Sequence, residues 1–152
     1  MKTHRVITII GWLVSGILLF LWQEKYLPFH YEYIEQFRLF HYSADYFIEH
    51  CSYPSGIIEY LGSFLIQFFN QPHVGAGIVT ILLLSVGIGI QQIFKRIASH
   101  VDMPLAYLLP TLFLLFAGMD INYHLEGTLA FALSVWFLNI QVSFVRPVHR
   151  MI

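Results

Sequence analysis

His41, Asp45 and Glu49 stand at intervals of four residues. On a helix that spacing puts one imidazole and two carboxylates on the same face. A carboxylate beside a histidine orients it as a base or shares a divalent cation with it. His41 and Asp45 are therefore the candidate metal ligands, and Asp45 and Glu49 the candidate acids of this stretch, while Glu35 and Arg38 are expected to form a local ion pair. The plainer expectation is the solvated side of an amphipathic helix. A second group, Asp120, Asn122, His124 and Glu126, fills a short connection between two apolar runs. Ionisable groups beside a membrane tend to face a bundle interior or a watery cavity. Convergence of Asp45 and Glu49 with Asp120 and Glu126 would make one outer acidic cleft; an interfacial loop is the simpler expectation for the second group.

Other chemistry is poorly supplied. The single cysteine, Cys51, excludes an intrachain disulfide and a multi-cysteine metal site, and is expected to be a small buried apolar residue. Eight histidines raise the question of haem, but His73 and His124 fall at helix ends and the rest lie outside the apolar runs. No cofactor is identified. No nucleophile elbow, phosphate-cradling glycine loop or zinc helix motif is present, and no basic block points to nucleic acid.

The elements that must position these residues are apolar helices. Of 152 residues, 57% are hydrophobic and 11% charged, with mean hydropathy +0.66. Soluble domains carry about 25% charge, so lipid is the expected solvent for most of this surface. Four spans are predicted, at about 6–22, 74–94, 105–119 and 125–145, in one membrane domain covering 1–152. Pro110 predicts a kink in the third. Lys2 and Arg5 before the first run resemble the start of a secretory signal, but no small-residue cleavage site follows, so the run is expected to remain as an anchor.

Charge sets the orientation. With the N-terminus cytoplasmic, Lys2, Arg5, Lys95, Arg96, Arg146 and Arg150 lie inside, six of the eight basic residues. Eight of the nine acids lie outside, Asp102 being the exception. Both termini are thus expected in the cytoplasm of a multi-pass inner-membrane protein. Between the first two spans, residues 31–70 predict two amphipathic outer helices. Tyr33, Phe37, Phe40, Ala44, Phe47 and Cys51 form the apolar stripe of the first, over 31–51. Tyr53-Pro54-Ser55-Gly56 ends it. The second then carries Ile57, Leu61, Phe64, Leu65 and Phe68 on its apolar face and Glu59, Ser63, Gln67 and Asn70 on its polar one. Asn139 and Gln141 are expected to bond other helices, and Ser85 with Gly89 to allow close helix approach.

The segments Tyr33–Phe40, Ser43–Phe47, Tyr53–Gly56, Glu59–Phe64 and Gln67–Phe69 resemble the N-terminal portion of an uncharacterised multi-spanning bacterial inner-membrane family, a domain of unknown function. The resemblance covers about Trp22 to Gly77, and Asp120–Tyr123 more loosely. Longer members have further spans, so it implies a short member or a fragment. A first span, a long outer loop with amphipathic helices and a second span also resemble the start of a polyprenyl-phosphate-sugar-dependent (GT-C type) glycosyltransferase. That likeness implies Asp45 or Glu35 as the acidic residue.

The expectation is an all-α membrane protein acting as a non-enzymatic module or as the membrane part of a larger assembly. A glycosyltransferase-like envelope enzyme on a lipid-linked sugar, whole or truncated, is the alternative, and a transporter subunit the next. Expected partners are the lipid bilayer and other membrane subunits or a second copy of the chain, and not nucleic acid.

Overall fold

The computed structural model describes residues 2–97 and 107–149, and among these the chain is all α-helical apart from one 3-10 turn and the connections. The helices are α1 (Lys2–Tyr26), α2 (Pro28–Gln36), α3 (Ala44–Cys51), α4 (Gly56–Ile66), α5 (Pro72–Ile97), α6 (Leu108–Ala117) and α7 (Leu125–His149), with the 3-10 turn Gln67–Asn70 between α4 and α5. Three prolines sit in first turns: Pro28 in α2, Pro72 in α5 and Pro110 in α6. There the missing N–H has no intrahelical partner to lose. Pro110 therefore lies in the first turn of α6, where it bends nothing within that helix.

Among the described residues three helices are long and apolar enough to cross a membrane, over Val6–Tyr26, Pro72–Ile97 and Leu125–Phe144. The expected third span is the exception. Helix α6 has 10 residues, about 15 Å at 1.5 Å per residue, or half of a hydrocarbon core of about 30 Å. The start of that expected span, with Asp102, lies outside the described residues, as does Arg150.

The chain packs as two compact units, residues 1–84 and 85–152. In the first, α1 runs antiparallel to the opening turns of α5. Gly16 faces Leu84, where an added Cβ would stand 2.8 Å from Leu84 Cδ1, while Phe20 faces Gly77 and Gln23 reaches Thr80. Ile66, Phe69, Ala76 and Leu83 close the core of this unit. In the second, α7 runs parallel to the end of α5. Gly89 meets Val135 and Asn139, and Arg96 meets Asn139 and Ser143.

Much of α1 stays uncovered. Ile7, Ile10, Leu13, Ile17, Leu18 and Leu21 are each more than half exposed. Leaving six such side chains in water would cost on the order of 10 kcal/mol, comparable to the whole stability of a domain.

The expected helix over 31–51 is two helices. Residues 37–43 leave the helical path, and α3 restarts at Ser43, whose extended backbone and Oγ cap the Tyr46 N–H at 3.2 Å. A serine N-cap followed by Asp45 in the first turn satisfies orphan N–H groups and the helix dipole, which outweighs the apolar period running through it. The expected stripe is accordingly split between two helices: Phe37 is 71% exposed, Tyr33 and Phe47 are exposed, and Phe40 and Phe47 both meet Tyr60. Cys51 is exposed rather than buried, because α3 packs by the side that carries Tyr46 and His50. In α4 burial follows neither face cleanly, Phe64 and Leu65 being half-buried like Glu59. Gly62, Ser63 and Ile66 are buried, while Ile57 and Leu61 are exposed.

Candidate functional site

The segment between α2 and α5 is held by aromatic rings and one obligatory glycine. Phe40, in the non-helical stretch, meets Tyr42, Tyr46, Tyr60 and Phe64 edge-on at centroid distances of 4.9 to 5.5 Å. Such pairs contribute about 0.5–1.5 kcal/mol each beyond their burial. Helices α3 and α4 then join through 52–55 so tightly that a Cβ on Gly56 would lie 1.6 Å from the His50 carbonyl oxygen. His50 Nδ1 donates to the Tyr46 carbonyl at 2.8 Å, which fixes its ring against Tyr46. Glu59 accepts from Ser55 Oγ at 2.8 Å and from the Tyr53 hydroxyl at 3.1 Å. These two bonds hold its carboxyl below the usual carboxylate range, while local desolvation and the same carboxylate raise the Tyr53 phenol.

A buried polar clasp locks this segment to the helices below it. Gln23 is fully buried in the last turns of α1. Its amide donates to Thr80 Oγ1 at 2.9 Å and to the Leu19 carbonyl at 3.3 Å, and its Oε1 accepts from the Tyr31 hydroxyl. Tyr31 is 3% exposed, stacked edge-on against Phe69 and seated on Gly75, where an added Cβ would stand 3.2 Å from the ring. Burial pushes its phenol well above the usual tyrosine range, so it stays a neutral donor. Nearby, His73 and Glu24 approach at 3.8 Å on the surface.

The second unit has its own clasp. Asn139, 3% exposed, donates from Nδ2 to the Gly89 carbonyl at 2.8 Å and to the Val135 carbonyl at 3.1 Å. Arg96 donates to the Asn139 carbonyl at 2.6 Å and to Ser143 Oγ. Gly89 is what permits this, since a Cβ there would lie 2.6 Å from Val135 Cγ1.

The sequence candidates fall in different places. Asp45 and Glu49 are both exposed on α3. His41 lies before the Ser43 cap, its ring 5.6 Å from Tyr46, so it shares no helix face with Asp45. Glu35 is half-buried on α2. Asp120 Oδ1 accepts from the backbone N–H of Asn122 at 2.9 Å and from its Nδ2 at 3.2 Å, closing its own turn. Glu126 is buried in the first turn of α7, where the helix dipole favours a carboxylate. Asp45 and Glu49 belong to the first compact unit, Asp120 and Glu126 to the second. Among the described residues no group of three His, Cys, Asp or Glu side chains is placed to hold a metal ion.

Gln23, Tyr31 and Thr80 were not singled out by sequence. The available signal was position: Gln23 follows Gly16 by seven residues and so shares the helix face that meets α5.

These features define a helical protein with several apolar helices long enough to cross a membrane. The chain belongs to a family of unknown function, DUF6057, whose model matches residues 3–152. No curated protein and no solved structure matches it.

Proposed function

We propose that the protein is a multi-pass inner-membrane module, working through its packing surfaces rather than through a catalytic centre of its own. The observation that carries this is the uncovered apolar surface of α1, which needs lipid, a partner helix or a second copy of the chain to cover it. The carboxylates a catalytic reading would use have other surroundings: Asp45 starts α3 in the open, and Glu35 is half-buried on another helix.

The parallel course of α5 and α7 supports an even number of crossings. Lys95 and Arg96 at the end of α5 favour the cytoplasm. A helix parallel to α5 starts on the outer side, so the chain between Ile97 and Leu125 returns across the bilayer. Helix α6 is half of that return, and the C-terminus comes back to the cytoplasmic side with Arg96. Reporter fusions after Arg96 and Arg150 are expected to read cytoplasmic, and fusions after Tyr53 and Asn122 external. An external signal at Arg150 beside a cytoplasmic one at Arg96 would overturn the return crossing. An external signal at Arg96 would overturn the whole orientation.

A further inference from the structure

The clasp does more than hold α2 in place, because it fixes how that helix is rotated. Tyr31 is buried against Phe69 and Gly75 with its hydroxyl on Gln23. At 100° per residue, positions 29 and 33 lie about 160° from position 31. Phe29, Tyr33 and Phe37 therefore form a stripe that turns away from the protein, at 82%, 44% and 71% exposure. The rings of Tyr33 and Phe37 touch at 4.7 Å. Beside this stripe, on its other edge, stand Glu32 and Gln36, both exposed.

Depth is set by what Tyr31 touches. Gly75 lies in the first turn of α5, where the apolar run of that helix begins. Helix α2 also starts two residues after Tyr26, at the end of α1, where Trp22 and Tyr26 pair at 5.8 Å and Lys25 lies over the Tyr26 ring. Tryptophan and tyrosine with a basic residue at the end of an apolar helix mark the headgroup level. The stripe is therefore continuous with the boundary at which α1 leaves the hydrocarbon.

We propose that α2 is an interfacial anchor: Phe29, Tyr33 and Phe37 insert into the outer leaflet at the headgroup–acyl boundary, and Glu32 and Gln36 face water. An amphipathic helix at this depth buries its apolar side about 5–10 Å into that boundary. This rests on the membrane reading above. It adds a second lipid contact, made by a helix that does not cross.

The test uses the full chain with Cys51→Ser, reconstituted in phosphatidylglycerol and phosphatidylethanolamine vesicles. Single cysteines are placed by Leu13→Cys, Glu32→Cys, Tyr33→Cys and Phe37→Cys and labelled with an environment-sensitive fluorophore. Labels at 33 and 37 are expected to emit to the blue of the label at 32, and to be quenched at least twofold more by shallow spin-labelled lipid. The label at 32 should respond to aqueous iodide. Equal iodide quenching at 32, 33 and 37 overturns the anchor, as does blue emission at 37 without quenching by spin-labelled lipid, which would mean protein covers the stripe. The label at 13 separates the two ideas. If deep spin label quenches it while 33 and 37 stay wet, the span stands and the anchor falls. If deep spin label leaves it unquenched, the membrane reading itself falls and takes the anchor with it.

Discussion

The two units are each tied by a buried polar side chain, and they are tied differently. In the first, Gln23 binds Tyr31 and Thr80, so three side chains depend on one another. In the second, Asn139 binds the Gly89 carbonyl, and Arg96 binds the carbonyl of Asn139 rather than its side chain. A network of side chains selects partners by identity, and losing one member strands another. A side chain bonded to a backbone carbonyl asks only that the helices come close. What the first clasp requires is chemistry, and what the second requires is space.

The largest effect should come from denying that space. Gly89→Leu puts a branched side chain where a Cβ alone would stand 2.6 Å from Val135 Cγ1. Overpacking of this kind costs roughly 3 kcal/mol, read as a lowered midpoint of denaturant unfolding in detergent micelles. A wild-type midpoint would break the account of the second unit.

Next come Gln23→Leu and Tyr31→Phe, each expected to cost about 1 kcal/mol. The double variant should cost scarcely more than Gln23→Leu alone, because that substitution already removes the bond Tyr31 makes. Additive losses in a double-mutant cycle would show that no such network exists. Asn139→Leu is smaller, about 0.6 kcal/mol, and should add to Arg96→Met without coupling, since Arg96 bonds a backbone oxygen that Leu retains. Coupling there would erase the contrast between the two clasps.

The smallest effect belongs to the exposed cap of α4, the surface baseline for both. The folded-state pKa of Glu59 lies below its unfolded value. Its contribution is therefore fully present above the unfolded carboxylate value and is lost as pH falls through the depressed folded one. Thermal unfolding against pH should show this acid limb in the parent and a flatter profile in Glu59→Gln. An unchanged limb would assign it to another carboxylate.

The sequence was legible where one physical rule acted alone. Charge-free runs and flanking basic residues located three long helices, because lipid demands apolar length before anything else. The polar Asn139 in an apolar run predicts a bond between helices, and it does bond α5. Between α2 and α4 two rules compete. The apolar period runs on through Ser43, while the local capping bond there breaks the helix. In α4 the amphipathic pattern alone does not say which face meets protein and which is left open. Here the buried face carries Gly62 and Ser63, small enough for close packing, and Ile57 and Leu61 point outward. Tyr31 offered no periodic signal at all. Its burial follows from Gly75 and Phe69, contacts distant in sequence that no local window contains.

The position of the two clasps along the chain has a consequence for biosynthesis. Gln23, Tyr31 and Thr80 have all been made once residue 80 leaves the ribosome, so the first clasp can close early. The second waits for Asn139 and Ser143, 43 and 47 residues beyond Arg96. Chains grow at about 5–20 residues per second, and their units fold in order of synthesis. For some seconds, then, the first unit would be finished while the end of α5 is still bare. In that interval the space beside Gly89 would be open to any neighbouring helix, including the α5 of another nascent copy.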